Sequence, residues 1–587
     1  MEARTCNISN VIQRNTLLRI PYFQRRYVWG LEDWNRFAVD MVSTIDSERY
    51  YFLGAIILKD EKVSMDDRRN GISKKHLVID GQQRLTTLAI FMKVLHMLVG
   101  KNDDFENQYL QANGVKEPVI LHSCEDMPQF RNIMHLNTPN EIQDDSNIAK
   151  AYNFFRAFLE EQRNNGKVNL NDLLNMMISN ITFVCITLDG EDDEQQIFDT
   201  INSLGVPLTT GELMKNFLYG ADDEEAYRTS WKPMFDTDEA REFWDSDASA
   251  SRQAKSKDNS TIERFFHAFV RIKMWDFKSK LSEYQRKSFV KAENVFVTCK
   301  AFVEKFEMNK QELAKEILCY AQLFKTYLND DILDSRIPQH AGIKRISCLI
   351  NATGNYVVIP YILYILNNVD SEAERNRIFG YLETYLVRRM LVKSSNNNYS
   401  DLFSENLIGQ RINSYQALKA YIEEKGDEKA LAMPTNEAVL LRASTSSLDE
   451  TAARAILYLN ETKLSKTSEG TFANSFNTCF AEQFMPRPSA AANKNWAVCA
   501  DPVGEQKRIQ GIKTIGNYFL LKICNDKGLK KERNEGFDIK LPLFQKWSKG
   551  VRSSQILNDC RYWDESTIVH RTKGLAKGFC KNIWPLD

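Results

Sequence analysis

Asp80, Gly81, Gln82, Gln83 and Arg84 break an apolar run, LVIDGQQRLTTLAIF from Leu77 to Phe91. An acid, a glycine, two amides and an arginine stand where a buried strand passes into a helix. Each type has a use at such a corner. Gly81 allows a tight turn and close backbone approach. A helix starting near Gln82 points its free N–H groups and positive dipole end at the corner. Arg84, in the first turn, adds a fork of donors. Together these make an anion site suited to a phosphate. Asp80 can hold a metal ion or orient Arg84, and the amides of Gln82 and Gln83 can donate and accept. The plain alternative is a capped helix with an internal Asp80–Arg84 pair.

Two more clusters carry polar groups that fit the same chemistry. RIPYFQRRYVWGLEDW, Arg19 to Trp34, packs Gln24, Arg25, Arg26, Tyr27 and Trp29 into six residues. Arg25 and Arg26 can clamp phosphates while an aromatic ring stacks on a base, or the segment is a surface ion-pair stretch with Trp29 in the core. FDTINSLGVPLTTGELMKN, Phe198 to Asn216, sets Asn202 and Gly205 at a helix end, with Thr209 or Thr210 capping the next helix. There is no GxxxxGK[ST], so a nucleotide site here is not a P-loop.

The elements that must hold these residues are legible in outline. Tyr51–Leu58, His76–Asp80 and Ile181–Leu188 read as strands. Lys59–Lys75 is polar and reads as a loop. Leu85, Leu88, Ala89, Met92 and Leu95 follow helical spacing and predict an amphipathic helix. Residues 193–205, DEQQIFDTINSLG, read as a helix closed by Gly205. Beyond about residue 220 the pattern is mostly helical, with a linker at Asp245–Thr261. After about residue 440, Pro486, Pro488 and Pro502 break helices, and short apolar runs alternate with basic helices. At 587 residues the chain is too long for one core. The divisions expected are 1–220, 221–440 and 441–587. Net charge is only −1, but Pro486–Asp587 holds 19 Lys/Arg against 10 Asp/Glu. That excess fits a polyanionic partner or a solvated basic face. The eleven cysteines form no CxxC pair, which reads as reduced thiols in a cytoplasmic protein rather than a zinc ribbon. No signal-peptide core or membrane span is apparent.

IPYFQRRYVW, YFLGAIIL, VIDGQQRLTTL and FDTINSLGVPLTTGELMKN, in that order, resemble the N-terminal domain of the GmrSD family of modification-dependent, type IV-like restriction proteins. The resemblance covers about residues 10 to 220. It implies a first domain with a ParB nuclease-like fold, and with the helical stretch that follows, the expected fold is an α+β multidomain chain. It also implies binding and hydrolysis of a nucleoside triphosphate (ATP, GTP or CTP), coupled to sensing or translocating modified DNA, phage DNA in particular. The residues it assigns to the nucleotide are Gln24, Arg25, Asp80, Gly81, Gln82, Gln83, Arg84 and Asn202. Phe23 stands where the family usually has Tyr, and Glu212 where it has Asp.

The family usually ends in an HNH, or ββα-metal, nuclease. AEQFMPRP (481–488), IGNYFLLKICN (515–525) and YWDESTIVHRTKGLAKGFCKNIWP (562–585) resemble that ending. On this resemblance Glu482 and Asn525 are ligands of a divalent metal, Mg2+ or Mn2+. Asn517 braces the loop, and Gln483 occupies the position of the catalytic histidine. A glutamine amide cannot take the proton that this histidine removes from water. His570 is the only histidine after His340 and lies far along the chain from the metal strand. The expectation is a restriction-type NTPase whose DNA nicking is weak or lost. The alternative is a nucleotide-gated DNA-binding sensor with a dead nuclease module, acting through a partner protein or a second copy. A helical scaffold with purely structural N-terminal motifs is a third possibility.

Overall fold

The computed structural model describes residues 2–12, 15–22, 24–45, 50–100, 102–112, 117–122, 126–188, 209–220, 223–246, 260–424, 431–464, 474–487, 495–496, 502–522 and 534–586. The fold is α+β and mostly helical, in two compact units, Met1–Pro233 and Met234–Asp587.

The first unit is built on a six-stranded mixed sheet. Its strands are β1 (Glu2–Asn7), β2 (Thr16–Arg19), β3 (Tyr51–Asp60), β4 (Lys74–Asp80), β5 (Ile120–Leu121) and β6 (Ile181–Leu188), in the order β1-β6-β3-β4-β2-β5. β3 lies parallel to β6 and antiparallel to β4, and β4 lies parallel to β2. β4 is apolar throughout its middle because both of its faces are covered. Val78 enters the main core, while Leu77 and Ile79 join a smaller cluster with Ile57 and Leu188.

Several helices pack into the main core, among them α1 (Leu31–Ile45), α2 (Gln82–Val99) and α3 (Asn147–Asn164). α2 departs from the amphipathic expectation, since fifteen of its eighteen residues are buried. Most of its polar side chains bond within the protein. The Thr86 and Thr87 hydroxyls donate to the carbonyls of Gln82 and Gln83, and Lys93 pairs with Glu106 at 2.9 Å. Phe37 of α1, Phe91 of α2 and Phe155 of α3 meet at centroid distances of 5.2–6.0 Å. The stretch expected to be all loop, Lys59–Lys75, instead holds the end of β3 and a short helix, Met65–Arg69. Ser64 and Asp67 cap that helix reciprocally, a signal that polarity alone conceals. The helix expected over 193–205 lies outside the described residues.

The second unit is helical and contains an antiparallel hairpin, β7 (Cys479–Gln483) with β8 (Tyr518–Lys522). α6 (Glu450–Leu464) and α7 (Phe537–Trp547) pack on it, α8 (Glu565–Gly578) reaches Tyr518 of β8 through Arg571, and α4 (Ile343–Thr353) packs against both α5 (Glu372–Leu391) and α6. A buried knot ties α4, α5 and α6 together. Arg345 grips Glu383 with two bonds, at 2.8 and 2.7 Å, and also donates to Thr462 Oγ1 and Leu459 O. Trp584, near the end of the chain, donates its indole N–H to the same Glu383 at 2.8 Å. Arg388 donates to the Trp584 carbonyl at 2.7 Å, and Lys463 to that of Ile583 at 2.6 Å. The C-terminal stretch is therefore built into the helical core of this unit.

Candidate functional site

At the N-terminal corner, β4 ends at Asp80 and α2 begins at Gln82. Gly81 between them has φ +101°, and a Cβ there would stand 2.6 Å from the Ile56 side chain, so only glycine fits. Gly81 caps α2 without a side-chain bond, which leaves the first amides of the helix without the usual capping oxygen.

The glutamines frame this corner. Gln24 is buried and donates to Val78 O and Ile79 O at 2.6 and 2.9 Å. Gln82 donates to Arg25 O at 2.5 Å and Gln83 to Arg26 O at 3.0 Å, while Gln83 Oε1 accepts from the amide of Val28 at 2.9 Å. The two amides thus clip the Arg25–Trp29 segment against α2. Tyr27 completes the attachment. Its hydroxyl bonds Thr87 Oγ1 at 2.7 Å and accepts from Trp34 Nε1 at 2.9 Å. Burial is the main reason the Tyr27 hydroxyl titrates well above the ordinary tyrosine range. His122 lies near this clip, 3.1 Å from Thr86 Oγ1. Burial pulls its pKa down to about 3, so it is neutral at physiological pH.

Gln24, Arg25, Asp80, Gly81, Gln82, Gln83 and Arg84 are therefore brought together, and Asn202 lies outside the described residues. Arg84 donates to Asp80 at 2.8 Å, with about a quarter of its side chain exposed. It lies across Gly54 of β3, where a Cβ would stand 2.3 Å from the guanidinium. Beyond Arg84 opens a cleft of about 260 Å3, walled by Trp29, Phe52, Asp33, Arg36 and Asp40. Sequence reasoning singled out Trp29 but missed Arg36 and Gly54. An isolated glycine inside a strand pattern was the available signal for Gly54, because it marks a bulge or a close approach.

In the second unit, Glu482, Gln483 and Asn517 gather at the hairpin, and Asn525 lies outside the described residues. Phe519 is the cross-strand partner of Glu482, and Tyr518 that of Gln483. The Gln483 amide donates to Ile512 O at 2.9 Å and to the Tyr518 hydroxyl at 3.0 Å. Lys540 of α7 donates to Gln483 O at 3.0 Å, a contact without a signal in the sequence. Asn517 is fully buried. It donates to Met485 O and Ile512 O, and accepts from Met485 N and Trp563 Nε1. Arg571 of α8 is buried over the Phe519 ring at 3.7 Å and donates to Gly516 O and Tyr518 O. Burial pulls its pKa down to about 9, which still leaves it charged at neutral pH. His570 beside it is exposed.

Among the described residues no group of three His, Cys, Asp or Glu side chains is placed to hold a metal. Glu482 supplies one carboxylate. That is the lower limit for Mg2+, whose other ligands are commonly water and substrate phosphate. No described helix is long and apolar enough to cross a membrane.

Residues 8–219 match the family model described as the GmrSD restriction endonuclease, N-terminal domain. A comparison with curated proteins finds no match.

Proposed function

We propose, from the GmrSD-type domain that residues 8–219 form, that this chain is a restriction-type defence protein of the cytoplasm that engages DNA, modified phage DNA in particular. In this reading the N-terminal unit is ParB nuclease-like. It binds and hydrolyses a nucleoside triphosphate at the Asp80–Arg84 corner. The observation that carries the reading is the corner itself. The first amides of α2 have no side-chain cap, Arg84 of the same turn pairs with Asp80, and Gln82 and Gln83 hold the Arg25–Trp29 segment against α2 while Gln24 bonds to β4. Phosphates bind at such helix starts. The test is calorimetric titration of ATP, GTP and CTP into the whole chain and into Arg84→Ala and Asp80→Ala. A charge-assisted bond contributes about 1.5–3 kcal/mol, so the loss of Arg84 weakens binding at least about tenfold. Unchanged affinity in both variants removes the corner from the mechanism.

The hairpin β7–β8 followed by α7 is read as a ββα-metal module. A divalent ion held by Glu482 and the phosphate would stabilise charge building on the phosphate oxygens. Asn517 holds the loop after β7 in place. Gln483 offers no proton acceptor, so attack by water lacks a general base, a contribution typically worth about 10²–10⁴-fold. A second reading, a nucleotide-gated DNA sensor acting through a partner, is favoured by one observation. Both amide hydrogens of Gln483 are engaged by the protein's own oxygens. Plasmid nicking with Mg2+ or Mn2+, with and without nucleotide, separates the two readings.

A further inference from the structure

The nucleotide reading leaves one feature of the first unit unused. The cleft beyond Arg84 has an aromatic wall and charged sides, yet the corner needs neither to hold phosphates. Trp29 is half-buried at one side, and Phe52 is 60% exposed at the rim. An aromatic ring this exposed, in a strand that is otherwise mostly covered, contributes little to the core. Arg36 lines the same space and forms no ion pair among the described residues. Asp33 and Asp40, on α1, add acceptors, although one oxygen of Asp40 already takes the Tyr51 hydroxyl at 2.7 Å.

The backbone of β3 is shaped to join this cleft to the corner. The pairing of β3 with β6 slips between Phe52 and Ala55, and Gly54 inside that slip has φ +106°. The missing side chain is what lets the Arg84 guanidinium lie over the strand, between the helix start on one side and the cleft on the other. At about 260 Å3 the cleft falls just below the roughly 300–1,000 Å3 of sites that enclose a whole drug-sized ligand. It therefore has room for part of a nucleotide and not for all of it.

We infer that this cleft receives the nucleoside half of the triphosphate. The base lies against Trp29 and Phe52, Asp33 and Asp40 accept from its N–H or sugar hydroxyl groups, and Arg84 marks the boundary with the phosphates. This rests on the nucleotide reading of the corner and adds the specificity-determining residues. Stacking on an aromatic side chain tolerates any base, so the aromatic wall supplies affinity. The carboxylates and Arg36 supply the choice among bases.

The test is calorimetric titration of the whole chain with ATP, GTP, CTP and UTP, and with inorganic tripolyphosphate as the phosphate-only probe. The wild-type chain binds at least one nucleotide about five- to hundredfold more tightly than tripolyphosphate. Trp29→Ala and Phe52→Ala each lower the nucleotide affinity toward that of tripolyphosphate and leave tripolyphosphate binding unchanged. Arg84→Ala weakens both probes. Phe52 is largely exposed, so its variant folds even where Trp29→Ala does not. Nucleotide affinities unchanged in Phe52→Ala and Trp29→Ala, with Arg84→Ala still defective, overturn the cleft assignment alone. Absence of nucleotide binding by the wild-type chain overturns the reading of the corner, and this inference with it.

Discussion

Gly54 and Gln483 are single positions where one atom group decides what a site can do. At Gly54 an added methyl meets Arg84 in a backbone conformation that L-residues avoid, at a cost of about 1–2 kcal/mol. Gly54→Ala is expected to lower the melting temperature by a few degrees and to weaken nucleotide binding about tenfold, matching Arg84→Ala, because the guanidinium is pushed off its seat. Retained nucleotide affinity in Gly54→Ala would show that the seat is unimportant. At Gln483 the surroundings already suit an imidazole. Ile512 O, which now accepts from the amide, can accept an imidazole N–H and so leave the other ring nitrogen as the base. Gln483→His is expected to raise nicking in Mg2+ or Mn2+ by up to about 10²–10⁴-fold over the unmodified chain. Folded Gln483→His that still fails to nick, with nucleotide added, would mean that the module only binds.

Among the elements, the strand-to-helix corner was the most legible, because turn chemistry and period change coincide at Gly81. The fate of the glutamines was not legible. Their partners are main-chain oxygens and amides of a segment more than fifty residues away, and no residue type in that segment announces the contact. The amphipathic reading of α2 failed for a related reason. A helix covered on nearly every side keeps polar residues only where they bond internally, and Thr86, Thr87 and Lys93 mimic a solvent face in the sequence. Asn517 shows the same principle in the hairpin. Its four bonds join the turn before β8, the loop after β7 and Trp563, so Asn517→Ala leaves several buried groups without partners. A loss of about 3 kcal/mol or more is expected in urea unfolding. A change under 1 kcal/mol would mean that the loop holds itself.

For the whole molecule, the central question is whether the basic C-terminal stretch can act as a separate module. Its bonds argue that it belongs to the larger unit Met234–Asp587. Glu383 of α5 receives Arg345 and Trp584, and the Glu461 carboxylate of α6 accepts from the amides of Arg552 and Ser553. Burial acts to raise the Glu383 pKa, but Arg345, Lys463 and the Trp584 bond more than offset it and bring it from 4.5 to about 2. A carboxyl held below its unfolded value stabilises the fold above about pH 4.5 and loses that contribution as pH falls toward 2, about 3 kcal/mol in all. Arg345→Met should cost about 3–5 kcal/mol at neutral pH and flatten this acid-side slope. Parallel pH profiles for the two proteins would remove the knot as its source. The same bonds predict how the chain divides. Residues 234–587 expressed alone should fold and bind DNA, with log K falling by about 0.9 per phosphate contacted for each unit of log salt. Residues 441–587 alone lack Arg345, Glu383 and Arg388, leaving Trp584 and the α6 face uncovered, and should show no cooperative unfolding transition. A cooperative transition in the short fragment, with salt-dependent DNA binding, would show that the basic stretch folds without the helical core.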